Sequence, residues 1–416
     1  MSGNEKYKGD LTMAEIDLHR LLTALSSCLD FDSRGINAHH DRVCRISLNL
    51  ADRIGLNREE KNLVGTAAII HDIGVKTWGE RAVLLNFEVD NPQEHCTNGA
   101  TLVSRYKLLK PVANIILHHH ANFAGGNKTG ATGRDIPLAA RIIHLADRID
   151  ILFLDRHKSD EPILRQVEQI TERIKNLSGV VFDPDLVEQF MLLSRRESFW
   201  LDLIAPKVLN KPQDANFPLI VGTDEVLELA NLFADVIDRK SPFTYRHSRG
   251  VAGAAVLLGS VMGFNAGELV NMKIAGLLHD LGKLSIGDGI LEKQGQLTMD
   301  EFTVIRQHPY YTYHILNNAG IADEIAAWAA YHHEKLDGSG YPFHLNAPQI
   351  PPGSRIIAAA DVFTALREDR PYRRGMEKDA IEKIMRDMVR RSALDGDVVD
   401  KLFGIYDELD QLFDSL

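Results

Sequence analysis

The feature that most constrains this chain is that it repeats itself. His71-Asp72-Ile73-Gly74 is matched by His279-Asp280-Leu281-Gly282, and His39 by His247, each pair standing 208 positions apart. Later matches keep the same order at offsets of 213 or 214. His95 pairs with His308, His118-His119 with His332-His333, and IPLAARIIHLAD ending at Asp147 with IPPGSRIIAAAD ending at Asp361. FDPDLVEQF, from Phe182, then echoes LDGDVVDKL, from Leu394. Self-similarity on this scale describes two related units, not one enlarged core. The length of 416 residues agrees, because single cores stop growing well below it. We read domains at 1–205 and 223–416, joined by a linker at 206–222 in which Pro206, Pro212 and Pro218 interrupt the periodicity.

Within each unit the apolar residues recur at helical spacing. In ELVNMKIAGLLHDLGKL, Leu269, Met272, Ala275 and Leu278 share one face, and EVLELANLFADVI behaves in the same way. Alternating strand patterns are scarce, so the expected fold class is all-α, with ANFAGGNKTGATG and HEKLDGSGYP as loops. Carrying the helix through HDLGK puts Lys283 on the same side as His279 and Asp280.

Composition excludes some functions. A formal net charge of −11 argues against attraction to polymeric nucleic acid, which needs a basic face. It leaves a small anionic substrate open, because metal ions in a cleft reverse the local potential. No window is long and apolar enough to cross a bilayer, so no membrane partner is expected. MSGNEKYKGD lacks the layout of a secretory signal, and Cys28, Cys44 and Cys96 form no CxxC pair, so a cytoplasmic location is expected. Apolar-rich helices near either end suit a domain or homo-oligomer contact.

The repeated residues carry the chemistry. A lone helical histidine is more often a core or surface residue than a ligand. His247, His279, Asp280, His308, His332, His333 and Asp361 form a set, each with a counterpart in the other unit. Imidazoles and carboxylates together suit divalent transition metals such as iron, manganese or nickel.

With those residues in view, the second unit resembles the HD-GYP branch of the HD superfamily of phosphohydrolases from about Tyr245 to Arg374. HDLGK matches the HD motif, HHEKLDGSGYP the motif that names the branch, and DRPYR at Asp369 to Arg373 a downstream arginine motif. The resemblance implies an all-helical domain with two divalent metals, iron or manganese, that hydrolyses a cyclic dinucleotide to the linear form. Carried over by position, His247, His279, Asp280 and Asp361 would hold one metal and His308, His332 and His333 the other, with Asp280 bridging. Phosphodiester hydrolysis needs a nucleophile at neutral pH and neutralisation of phosphoryl charge, and a metal pair supplies both through a bridging hydroxide. Lys283 would stabilise charge developing in the transition state. Arg370 and Arg373 would contact the second phosphate or a guanine edge, and Tyr341 would shape the site. Some members of the branch bind a third metal through a glutamate four residues before the first histidine; Phe243 stands there, so two metals are expected. HDLGK alone also permits a nucleotide phosphohydrolase or 5′-nucleotidase, which is the competing reading.

In the first unit the matching residues are His39, His71, Asp72, His95, His118, His119 and Asp147, which makes a second metal site. Val75 holds the lysine position, FAGGNKTG replaces the GYP loop, and no RPYR follows Asp147. An accessory role is expected there, with a nucleotidase as the alternative. The tandem layout resembles the bacterial cyclic GMP-AMP phosphodiesterases, which implies 3′,3′-cyclic GMP-AMP as substrate, with cyclic di-GMP close behind.

Overall fold

The computed structural model describes residues 16–32, 35–36, 38–88, 92–157, 162–204, 219–240, 246–293, 295–369 and 374–415. Among these the chain is helical, with strand limited to two-residue pieces such as Phe31–Asp32 and Gly35–Ile36. It divides into two compact units, Asp17–Ile220 and a second one running from Val221 to Leu416. Most of the 206–222 segment lies outside the described residues. Among the described residues no helix is long and apolar enough to cross a membrane.

The two units are built by the same local rules. In the second, the helix that delivers the HD pair, Ala266–Leu278, opens with a capping box: Asn265 accepts from the Glu268 N–H, and Glu268 accepts from the Asn265 N–H. In the first, Arg58–Ile69 opens with the same box from Asn57 and Glu60, 208 positions earlier. The start of the HD helix is thus fixed by sequence in both copies.

In the second unit His247–Val261 packs against Ala266–Leu278 and Pro352–Arg367. The first approach is close because small residues meet: a Cβ on Gly276 would lie 2.7 Å from Ala252 Cα. Val251, Ala255, Leu258, Met272, Ala275, Ile356, Ala360 and Phe363 fill the interior. In the first unit His39–Arg53 packs in the same way on Arg58–Ile69 and Leu138–His157.

One expectation about the HD segment is corrected. The α-helix ends at Leu278, and Leu281–Ser285 forms a tighter 3₁₀ turn in which the Lys283 N–H bonds to the Asp280 carbonyl at 2.8 Å. Gly282 is the cause. A Cβ there would lie 2.0 Å from the His308 carbonyl oxygen, and Gly74 makes the same approach to His95. Only glycine lets the HD turn meet the next ligand's helix. In a 3₁₀ turn residues i and i+3 eclipse, so Lys283 still projects over Asp280.

Candidate metal centres

The second unit brings its seven ligand positions together. His279, in the turn after its helix, donates Nδ1–H to the Gly276 carbonyl at 2.8 Å. His308 donates to Ile305 O at 2.7 Å, and His332 to Ala329 O at 2.8 Å. A carbonyl can only accept, so each bond fixes the tautomer and leaves Nε2 as a lone pair. The lone pairs of His308 and His332 face one another across 3.4 Å. Burial holds both imidazoles below their ordinary pKa, so both are neutral and repel. A shared cation removes that repulsion, since two nitrogens on one ion stand about 3.0–3.4 Å apart. His279 Nε2 is likewise buried without a hydrogen-bond partner among the described residues. The donor set fits a transition metal.

Asp280 lies between the two groups of imidazoles. Its Oδ2 is 3.3 Å from His279 Nε2, and its Oδ1 is 3.3 Å from His308 Nε2 and 3.8 Å from His332 Nε2. Burial opposes the charge of this carboxylate, but His279 and Lys283 hold it well below the usual range. Lys283 Nζ reaches Asp280 Oδ2 at 2.5 Å. His333 completes a second group with His308 and His332.

His247 lies 3.0 Å from Asp361 Oδ1 through Nε2 and 3.1 Å from Glu368 Oε2 through Nδ1. Burial works against its charged form, yet the hydrogen bonds to Asp361 and Glu368 hold its pKa up to about 10. Glu368 caps the end of Pro352–Arg367 and orients His247 from behind, as carboxylates do for metal-ligating histidines. Sequence reasoning missed it, because its counterpart in the first unit is Asp150, reached from a different turn of the helix.

The GYP loop is anchored by Glu334. This buried carboxylate accepts the N–H groups of Phe343 at 2.7 Å and Leu345 at 2.9 Å. Gly340 permits the fold-back, since a Cβ there would fall 2.5 Å from Glu334 Cα. The loop lays the Tyr341 ring 4.9 Å from His333, tilted by 34°. Arg306 stacks on Tyr341 at 5.0 Å from the ring centroid. Beside them runs a cleft of about 290 Å³ lined by Arg306, Gln307, Tyr310, Tyr311, Tyr341 and Pro342. Neither Arg306 nor Tyr310 belongs to a motif or to the repeat. Arg370, Arg373 and Phe243 lie outside the described residues.

The first unit gathers a comparable cluster, with one correction. Asp72 Oδ1 is 3.3 Å from His95 Nε2 and 3.5 Å from His119 Nε2, while Asp72 Oδ2 is 3.5 Å from His71 Nε2. His39 Nε2 is 3.4 Å from Asp147 Oδ1, and its Nδ1 is held by Asp150 at 2.7 Å. His118 is not among them. It ends the helix Ala113–His118 and bonds back to the Asn114 carbonyl at 2.9 Å. The next two residues face the cluster instead: Asp72, His95, His119 and His120 offer ligand atoms within 4.8 Å of one another. Each helical residue turns the face by about 100°, so a one-residue slip in alignment exchanges an outward histidine for an inward one. Holding the 213-residue offset of His95 and His308 would have paired His119-His120 with His332-His333. Lys76, the residue after the lysine position, pairs with Glu94 at an exposed site. Arg148, also missed, binds Asp147 Oδ2 through Nη2 at 2.7 Å and Nε at 3.1 Å.

Comparison with known proteins agrees with this duplication. HD domain family models match residues 38–152 and 231–398. The chain is 35% identical over 378 residues to the 3′3′-cGAMP-specific phosphodiesterase 1 of Vibrio cholerae, spanning 89% of this chain and 88% of that protein. It is 32% identical over 399 residues to phosphodiesterase 3 of the same name and organism, spanning 90% and 82%. A crystal structure of a V. cholerae cyclic GMP-AMP specific phosphodiesterase shares the fold, with a TM-score of 0.66 at 24% identity over 95% of this chain and 98% of that one. Two HD domains in tandem, and 35% identity across nearly the whole of a phosphodiesterase of the same layout, place the chain in the HD-domain family of metal-dependent cyclic dinucleotide phosphodiesterases.

Proposed function

We propose that the second unit hydrolyses a cyclic dinucleotide to the linear dinucleotide, with 3′,3′-cyclic GMP-AMP preferred over cyclic di-GMP. The observation that carries this reading is Lys283 Nζ at 2.5 Å from Asp280 Oδ2, beside imidazole lone pairs that converge on the same carboxylate. The first unit repeats the lone pairs but has Val75 in place of the lysine. The relatives that match across both units, named for 3′3′-cGAMP, support the substrate order.

His247, His279, Asp280 and Asp361 would hold one divalent ion, and His308, His332 and His333 a second, with Asp280 shared. Iron or manganese suits this set best, and nickel fits it too. Bound there, the ions supply a nucleophile at neutral pH and neutralise charge on phosphoryl oxygens. The protein's own groups do the rest. Lys283 places an ammonium beside the shared carboxylate, where a non-bridging oxygen of the scissile phosphate gathers charge. The 290 Å³ cleft beyond Tyr341 receives a base, with the Tyr341 ring and the Arg306 guanidinium as stacking surfaces. Arg370 and Arg373 are the proposed contacts for the second phosphate. Cys28, Cys44 and Cys96 form no CxxC pair, which supports a reducing cytoplasm as the site of action.

The test is product analysis of the full chain, loaded with Mn²⁺ or Fe²⁺, on a panel of cyclic dinucleotides and mononucleotides. The reading expects linear GMP-AMP dinucleotide to form faster than linear di-GMP. Turnover of mononucleotides alone would overturn it.

A further inference from the structure

The cluster of the first unit contains a histidine for which the repeat does not account. His40 follows His39 and stands 208 positions before Ser248. Both residues serve the same kind of partner. Ser248 Oγ donates to Asp238 Oδ1 at 2.7 Å, and His40 Nδ1 bonds to Asp30, itself 208 positions before Asp238. The carboxylate keeps the proton on Nδ1 and turns Nε2 toward the cluster as a lone pair.

His40 is 3% exposed, and its Nε2 has no hydrogen-bond partner among the described residues. His71 Nε2 is in the same condition, its Nδ1 being bonded to the Ala68 carbonyl at 2.8 Å. The two rings lie 5.0 Å apart between centroids, and single ligand atoms from His40, His71 and Asp72 fall within 4.8 Å of one another. Leaving a buried polar atom unsatisfied costs about 1–3 kcal/mol. Two such imidazoles beside one carboxylate are explained by a cation.

We propose that His40 is a metal ligand, binding a late first-row divalent ion together with His71 and Asp72. The inference rests on the geometry of the first unit and does not depend on the reaction assigned to the second. Three differences between the copies set this centre apart. It gains an imidazole where the second unit has Ser248. Its Asp147 is compensated by Arg148, where the second unit has Val362. Its shared carboxylate, Asp72, has Val75 at the position of Lys283. An added imidazole and no lysine over the shared carboxylate describe a centre built to retain its ion.

The test measures zinc per chain by elemental mass spectrometry in the full-length protein loaded with Zn²⁺ alone. The variants are His40→Ser, which installs the second unit's own solution at this position, and His118→Ala. The expected result is a loss of about one zinc ion per chain in His40→Ser and none in His118→Ala. A folded His40→Ser chain with wild-type zinc content would overturn the proposal. Anomalous diffraction from the zinc-loaded wild type decides the matter should that variant misfold. A zinc ion about 2.0–2.1 Å from His40 Nε2 is expected. Ions held by the other histidines without His40 would overturn it.

Discussion

Lys283 Nζ and Asp280 Oδ2 stand 2.5 Å apart, although the α-helix that leads into them has already ended at Leu278. The contact is made by the eclipsed i, i+3 geometry of the 3₁₀ turn, which depends on Gly282 approaching the His308 carbonyl. Lys283→Met keeps the aliphatic stem and removes the charge. Steady-state kinetics on 3′,3′-cyclic GMP-AMP should show kcat lowered roughly 10²-fold, about 2.7 kcal/mol, with metal content unchanged. A variant at full kcat would show that the lysine serves only to hold Asp280.

Removal of metal should destabilise the protein. The neutral imidazoles of His308 and His332 are left facing one another without a cation, and they converge only in the folded state, so the ion binds that state preferentially. At a free ion concentration about 100 times Kd, linkage gives about 2.7 kcal/mol of stabilisation. Calorimetry with and without chelator should show a fall in Tm of several degrees for the full chain. An unchanged Tm would argue that the clusters hold no ion.

Glu334→Ala should loosen the GYP loop. It removes the acceptor for the Phe343 and Leu345 amides and costs about 2–4 kcal/mol, read as a lower urea midpoint. Glu334→Gln keeps one acceptor and should lose about half as much.

At Tyr341, conservative and drastic changes should separate. Tyr341→Phe keeps the ring facing His333 and Arg306 and should alter KM less than about twofold. Tyr341→Ala removes a stacking surface worth about 1–2 kcal/mol and should raise KM roughly tenfold. Equal KM values for the two variants would remove the base from this cleft.

The parts of this molecule that were legible from sequence are those in which one residue type is required by chemistry or sterics. The HD pairs, His95 with His308, and Asp147 with Asp361 recur in sequence and converge in each unit, and the two capping boxes recur because helix starts must be satisfied. What was hidden is what depends on the exact end of a helix. Lys283 reads as helical by periodicity, while a glycine's close approach to His308 tightens the turn. His118 and His120 exchange roles because a short helix ends between them. Glu368 and Asp150 do the same work from different turns, so no fixed offset relates them. Arg306 and Tyr310 reach the cleft only through the folding back of the GYP loop, a relationship that one sequence does not display.

The most direct test of the central claim is liquid chromatography with mass detection of the linear dinucleotide formed from 3′,3′-cyclic GMP-AMP, by the Mn²⁺-loaded full chain and its His279→Ala variant. The second unit's cluster is predicted to carry the reaction, so the wild type should form linear product and the variant at least about 10³-fold less. Product formation by His279→Ala at the wild-type rate would contradict the assignment.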